Sequence, residues 1–497
     1  MGFCPAGYSW NPLIISVQYA GDKRRGMMRK KGQEKIHFIG IGGAGMAPIA
    51  EILLDRGVSV SGSDIGSNDC TRRLAEKGAT IVQGHNGANV RSVSRVVVSS
   101  AIRSNNPEWV AAVTRGIPVI HRGEMLAELL NPSFGIAVAG SHGKTTTTSM
   151  IASILRVAGL DPTCVVGGRV STFPGCALIG KSPYFVTEAD ESDGSFLKLE
   201  PRIRVVTNID REHMDFYGNF ETLLEAFAAY LDAGITGGLG VLCIDDPGIA
   251  SLIERLNSVP LTYGLSVEAR VRATNILHEG VGSSFDLTVD GTVWGRISLS
   301  VPGIHNVLNA LAATCVGICL EVETEVIRDA LANFVSVGRR FTILGERDGV
   351  LVVDDYGHHP TEIRATLSAA RLAYPSRRIV AVFQPHRFTR VRDLQNAFVE
   401  SFGEADRIFV TEIYSAGEDP IPGVAAESLY LKMKDRWGER VDYEPRRERW
   451  NSHLQGMVQP GDLVITLGAG DITRLGKDFL SWQPLSLVSP ASDAVSA

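Results

Sequence analysis

A short glycine-rich segment, Gly140-Ser141-His142-Gly143-Lys144-Thr145, leaves the backbone around it few options. It lies between the apolar run GIAVA and a helical pattern that opens with Thr146 and Thr147. Strand, glycine turn and helix in that order make a phosphate cradle. Backbone N–H groups of the loop and helix N-terminus point at phosphate oxygens, the Lys144 ammonium neutralises their charge, and the Thr145 hydroxyl is placed for Mg²⁺. The spacing departs from the usual phosphate loop in having Val138 where the first glycine would stand.

The same grammar recurs along the chain. Apolar, β-branched runs ending in Gly or polar residues occur at 36–43, 95–102, 184–192, 204–210, 349–356, 378–386 and 462–470, with helical stretches between them. Such alternation predicts βα units and parallel sheets, whose ligands gather at the carboxyl ends of the strands. A chain of 497 residues is too long for one core. Punctuation at Asn131-Pro132-Ser133 and at Val337-Gly338-Arg339-Arg340 divides it into domains at 34–132, 133–337 and 338–482. Residues 1–33 read as an extension without an assigned role, and 483–497 as a frayed tail. Alternation around an Asp-Gly turn within 268–301 predicts a hairpin appended to the middle domain.

Composition narrows the function. A formal net charge of −6 opposes a nucleic-acid binder, which carries a basic contact face. The seven cysteines are scattered without a CxxC pair, so neither a zinc knuckle nor a disulfide framework is expected. No apolar run approaches the roughly 20 residues that span a bilayer, and the N-terminal basic cluster follows its short apolar stretch, the wrong order for a signal peptide. The expected location is the cytoplasm, without membrane insertion.

Further motifs sit at strand ends. Gly40, Gly42, Gly43 and Gly45 follow a strand, with Asp64 ending the next one. This fits a pyrophosphate at a helix start with an acid on a ribose, and NAD(H), a UDP-sugar or a structural turn would all satisfy it. Glu188, Asp190, Glu191 and Asp193 crowd four acids into six positions, a repulsion that Mg²⁺ beside phosphates would relieve. Asn208, Asp210 and His213 follow another strand. His305 and Asn309 lie four apart on one helical face, a geometry that reaches a planar base. In the last third, Tyr356 and His358 stand in DDYGHHP, and His386, Arg387 and Arg390 in QPHRFTR, where the two arginines form a clamp for carboxylate or phosphate.

Taken together, GIGGAGM, GSHGKTTT, EADESD, TNID-x-x-HMD, HN-x-x-NA, DDYGHHP and QPHRFTR resemble the Mur ligase family over roughly residues 35–480, and within it the alanine-adding branch. The resemblance implies a Rossmann-like N-terminal domain for UDP, a central phosphate-loop ATPase domain and a Rossmann-like C-terminal domain for the amino acid. It implies ATP, UDP-N-acetylmuramate and L-alanine as substrates, with Mg²⁺ or Mn²⁺. By position it assigns Gly140 to Thr146, with Lys144 foremost, to ATP phosphates, and Thr145, Glu188 and His213 to the metal. His305 and Asn309 would take adenine, and Tyr356 and His358 the amino acid. His386, Arg387 and Arg390, with the N-terminal glycine loop and Asp64, would take the UDP-sugar. The stretch after HMD lacks the lysine that several relatives carbamylate, in keeping with the alanine-adding branch.

The chemistry implied is activation of a carboxylate to an acyl phosphate, then attack by the amine, with the outer domains closing to exclude water. A murein tripeptide-recycling ligase is the nearest rival. A NAD-dependent oxidoreductase would leave GSHGKTTT without purpose, and a non-catalytic nucleotide-binding regulator would leave the Arg and His motifs unexplained. Two structural expectations follow: Lys144 lies on a solvent-facing loop, and Glu188 and His213 end adjacent parallel strands.

Overall fold

The computed structural model describes residues 34–168, 173, 175–233 and 238–481. The extension expected over 1–33 and the tail from 483 lie outside the described residues. The chain forms two compact units, one up to Gly338 and one from Arg339. The first holds two sheets and the second holds one.

The N-terminal sheet has five parallel strands in the order 3-2-1-4-5 counted along the chain. Its first strand, Lys35–Ile39, is central and almost wholly buried, as expected for a strand covered on both faces. Gly40, at φ 79°, turns the chain off that strand, and helix Ala47–Asp55 follows.

The nine-stranded middle sheet is built around Phe134–Ala139, every residue of which is buried. Ile136 and Val138 are fully inaccessible, each stabilising the core by about 1.5–3 kcal/mol. This strand pairs in parallel with Tyr184–Glu188 on one side and Ile203–Val206 on the other. The two acid-bearing strands therefore flank the phosphate-loop strand and are not neighbours of each other. Here the sequence expectation fails, because strand order depends on crossovers. The segment predicted as a hairpin forms three antiparallel strands, Val271–Glu279, Gly282–Val289 and Thr292–Leu299, which continue the sheet edge through Leu261–Gly264.

The sheet of the second unit has six strands. Val350–Asp355 and Arg378–Phe383 both pair in parallel with Asp462–Leu467, which lies between them. An antiparallel strand, Thr342–Arg347, closes one edge. All eight apolar runs singled out in the sequence are strands followed by loops. No helix among the described residues is long and apolar enough to cross a membrane.

Candidate active site

The phosphate loop is held open from beneath. Gly140 and Gly143 adopt φ 123° and 83°, left-handed conformations that cost a side chain dearly. The segment after the neighbouring strand laces the loop in place. Ser141 N–H donates to the Asn208 carbonyl at 3.1 Å, and His142 N–H donates to Asn208 Oδ1 at 2.8 Å. Thr207 Oγ1 donates to the His142 carbonyl at 2.6 Å, and Asp210 N–H to Ser141 Oγ at 2.8 Å. Helix Lys144–Val157 starts immediately after Gly143, so its free N–H groups face the loop.

Asn309 sits below this helix start. Its Oδ1 accepts from Thr147 Oγ1 at 3.1 Å, its amide donates to Asn306 at 3.2 Å, and a Cβ on Gly143 would lie 2.5 Å from it. It braces the loop. Asn306 donates to the Pro302 carbonyl at 2.7 Å, tying down the start of helix Ile304–Cys319. His305 is half-buried on the first turn of that helix.

Lys144 is not solvent-facing. Its side chain is 18% exposed and curls back to donate to the Gly140 and Ser141 carbonyls and, at 2.8 Å, to Glu191 Oε1. Burial works against its charge, but Glu191 and Asp190 outweigh that and hold its pKa above the usual lysine range. The acid run is divided among partners. Glu188 accepts from Gly167 N–H at 2.6 Å and from Thr145, with burial raising its pKa. Burial also opposes ionisation of Asp190, yet Arg122 and then Lys144 hold its carboxyl far below the usual range. Asp193 accepts from Ser100 Oγ at 2.8 Å and stands 3.3 Å from His121.

Glu191 is 1% exposed, and burial raises its pKa despite Lys144. Its Oε2 has no hydrogen-bond partner among the described residues. His213, at φ 58° in the turn before a short helix, brings Nε2 to 3.7 Å from Glu191 and 3.9 Å from Glu212. Ligand atoms of Glu191, Glu212 and His213 all lie within 4.8 Å of one another. Hard oxygens, one imidazole and an uncommitted carboxylate oxygen fit a small divalent cation. The structure thus seats His213 beside Glu191 and Glu212, and Glu188 beside Thr145 and Gly167.

The N-terminal glycine loop opens into the same space. A cavity of 330 Å³ is lined by Gly45, Arg122, Val166, Lys144, Glu188 and Asp190 among others. Arg122 starts helix Arg122–Leu130, its guanidinium bonds to Asp190, and a Cβ on Gly45 would lie 2.9 Å from it. It joins the glycine loop to the acid run. Gly42 N–H donates to Asp64 Oδ2 at 2.8 Å, while Gly66 N–H donates to the other carboxylate oxygen at 3.3 Å. Asp64 therefore shapes the loop directly, whatever it does for a ribose. Gly43 N–H donates to the Gly40 carbonyl at 3.1 Å, completing the turn.

The second unit gathers its motifs at three strand ends. The rings of Tyr356 and His358 lie 5.2 Å apart, those of His358 and His386 5.5 Å, and His386 stacks on Tyr414 at 5.6 Å. Arg339 and Arg340 lie over Tyr356 at 5.0 and 5.2 Å. Arg390 Nη1 stands 3.3 Å from His386 Nδ1, and Arg387, at φ 69°, precedes helix Phe388–Val399. Burial first, then His358, Arg390, Arg387 and Arg339, push the pKa of His386 down to about 3. A neutral imidazole ringed by guanidinium groups is a receptor for an anion such as a carboxylate.

Sequence reading missed a site role for Arg122 and for Arg339, which it met only in the boundary segment Val337-Gly338-Arg339-Arg340, and it ranked Glu191 behind Glu188. Only the fold reveals that Glu191 is the acid that meets both Lys144 and His213.

A phosphate-loop sheet flanked in sequence by two largely parallel α/β sheets, each with a ligand loop at its strand ends, defines a multidomain nucleotide-dependent enzyme. Three sequence models match in succession: "Mur ligase family, catalytic domain" over 35–133, "Mur ligase middle domain" over 138–317, and "Mur ligase, glutamate ligase domain" over 339–470. The chain belongs to the Mur ligase family. It is 51% identical over 449 residues to the UDP-N-acetylmuramate–L-alanine ligase of Pelobacter propionicus, covering 90% of this chain and 98% of that protein. It is likewise 51% identical to the enzyme of the same name from Geobacter sulfurreducens, covering 90% and 97%. Among solved structures, the UDP-N-acetylmuramate–alanine ligase of Thermotoga maritima superposes with a TM-score of 0.76 at 28% identity, covering 90% of this chain and 98% of that one. A murein peptide ligase from Psychrobacter arcticus shares the fold, with a TM-score of 0.67 at 23% identity over the same shares.

Proposed function

We propose that this enzyme joins L-alanine to the lactyl carboxylate of UDP-N-acetylmuramate at the expense of ATP, a step in making peptidoglycan precursors. The observation that carries the reading is a cavity lined by both the N-terminal glycine loop and Lys144. A ligand anchored by its pyrophosphate at Gly43–Gly45 can extend its far end to the phosphate cradle. The names of the curated relatives supply the substrate pair.

Chemically, a carboxylate is a poor acyl donor because oxide is a poor leaving group. Its oxygen attacks the terminal phosphorus of ATP, forming an acyl phosphate and releasing ADP. The neutral amine of alanine then adds to the acyl carbon, and phosphate leaves as the amide forms. Lys144 stabilises charge on the transferring phosphoryl group, a task in which positioning and electrostatics dominate. Arg122 faces the sugar diphosphate, and Glu191, Glu212 and His213, with Thr145 and Glu188 from the phosphate loop and the acid run, would hold a divalent cation, Mg²⁺ or Mn²⁺. That cation, when bound, supplies further positive charge beside the phosphates. Asn309 steadies the loop, and His305 is left to border the adenine. In the second unit, Arg387, Arg390 and the neutral His386, with Tyr356 and His358, receive the amino acid and substrate anions. The reaction belongs to the cytoplasm, where ATP and UDP-sugars are found.

The test is phosphate release from ATP with UDP-N-acetylmuramate and each of L-alanine, L-serine, glycine and a murein tripeptide. Release dependent on both the UDP-sugar and L-alanine is expected. Preference for the tripeptide would transfer the chain to the recycling branch.

A further inference from the structure

Two thiols meet where the N-terminal sheet's helix Asp69–Glu76 packs on the segment Cys176–Leu178 of the middle sheet's domain. Glu51, fully buried, organises the junction. It pairs with Arg73 and Lys77, each at 2.8 Å, and accepts from the Cys176 and Ala177 N–H groups at 2.8 and 3.1 Å. A Cβ on Gly175 would lie 2.7 Å from Arg73 Nε. Cys70 precedes Arg73 by three positions and so shares its helical face. Its thiol is hydrogen-bonded to that of Cys176, neither thiol is in a disulfide, and both residues are half-exposed.

We propose that Cys70 and Cys176 form a reversible disulfide that staples the glycine loop to the opposite wall of the cavity. Cys70 lies in the first turn of a helix capped by Asn68, an environment that favours a thiolate. The bond to Cys70 and then burial hold the Cys176 thiol protonated. Their roles follow. The Cys70 thiolate attacks one sulfur of a small-molecule disulfide such as oxidised glutathione, releasing one thiolate and leaving a mixed disulfide. Cys176 then gives its proton to solvent and attacks the Cys70 sulfur, releasing the second thiol. Two protein thiols are oxidised while one small disulfide is reduced to two thiols.

Each side of the staple is tied to the site. Asn68 donates to the Gly42 carbonyl at 3.0 Å, and a Cβ on Gly42 would lie 2.8 Å from Thr71. On the other side, Leu178 pairs through both backbone groups with Cys164, next to Val165 and Val166 of the cavity wall. A covalent link removes relative movement between the two walls, and ligand entry slows. This consequence, unlike the link itself, rests on the proposed binding of the UDP-sugar in that cavity.

The test treats the reduced full chain with oxidised glutathione and maps its disulfides by mass spectrometry. The expected product is a Cys70–Cys176 linked peptide, absent from Cys70→Ser, with Cys176→Ser trapping glutathione on Cys70. Folded protein without that peptide, or with glutathione spread evenly over the other cysteines, overturns the proposal. Turnover of the oxidised wild type at limiting UDP-sugar should fall about fivefold, or roughly 1 kcal/mol, and return with reductant, while oxidant leaves Cys70→Ser unchanged. A mapped link with unaltered turnover overturns the staple. Absence of any UDP-sugar turnover in the reduced enzyme counts against the functional reading instead and leaves the mapped link standing.

Discussion

Replacing Lys144 with methionine keeps most of the stem's volume and removes the ammonium that compensates Glu191. The carboxylate left behind is 1% exposed, and stranding a buried charge costs about 3–5 kcal/mol. Burial already raises the pKa of Glu191 from 4.5, so protonation is within its reach and the lower end, about 3 kcal/mol near pH 7, is expected. For a folding unit that runs to Gly338, at about 2.1 cal/mol/K of unfolding entropy per residue, that is a fall of roughly 4 °C in its melting transition. The sign with pH follows from the same shift. A carboxyl whose pKa is raised on folding is accommodated below that value, and its penalty grows as pH rises through it. Lys144, whose own pKa is also raised, stays charged from pH 5 to 8 and adds no slope there. The deficit of Lys144→Met should therefore be larger at pH 7.5 than at pH 5, and Lys144→Met/Glu191→Gln should recover at least half of it. Thermal unfolding followed by circular dichroism measures this, and ligation should be lost in both variants. An equal deficit at the two pH values, or a double variant no more stable than the single, would refute the reasoning.

Arg122→Ala should raise KM for UDP-N-acetylmuramate about 10- to 100-fold, the range for a lost charge-assisted contact, with kcat less affected; unchanged KM would remove Arg122 from the site. Gly42→Ala forces a Cβ to 2.8 Å from Thr71 Cγ2 and 2.9 Å from Asn68, so UDP-sugar affinity by calorimetry should fall more than about tenfold while ATP affinity holds. His386, with its pKa pushed to about 3, should show no ring titration by NMR between pH 5 and 8. Because that value is depressed from 6.5, its contribution is complete above 6.5 and is lost as pH falls toward 3. His386→Asn should then soften the acid unfolding of the second unit, and a midpoint near 6.5 would contradict the burial argument.

What could be read from the sequence was whatever local chemistry dictates. Strands such as FGIAVA and RIVAVF are legible because burial on both faces demands continuous apolar residues, and the turns after them because only glycine tolerates φ 123° at residue 140. The strand Val271–Glu279 was hidden by Arg272, Asn275 and His278, polar residues that suit a half-solvated sheet face. Strand order was equally hidden. Nothing in EADESD or TNIDREHMD announces that the phosphate-loop strand lies between them, and that insertion is why Lys144, expected in solvent, is enclosed by acids from one side and backbone from the other. Arg122 acquires meaning only from Asp190, remote in sequence.

The bonds from Thr207, Asn208 and Asp210 to the phosphate loop carry a thermodynamic implication for nucleotide binding. A loop fastened to a neighbouring strand end has already surrendered its conformational freedom when the sheet forms, so an arriving triphosphate has little backbone to order. Asn208→Ala would return that freedom. ATP would then bind with a less favourable entropy, visible by calorimetry as a rotation from entropy toward enthalpy compensation, even though Asn208 need never touch the nucleotide.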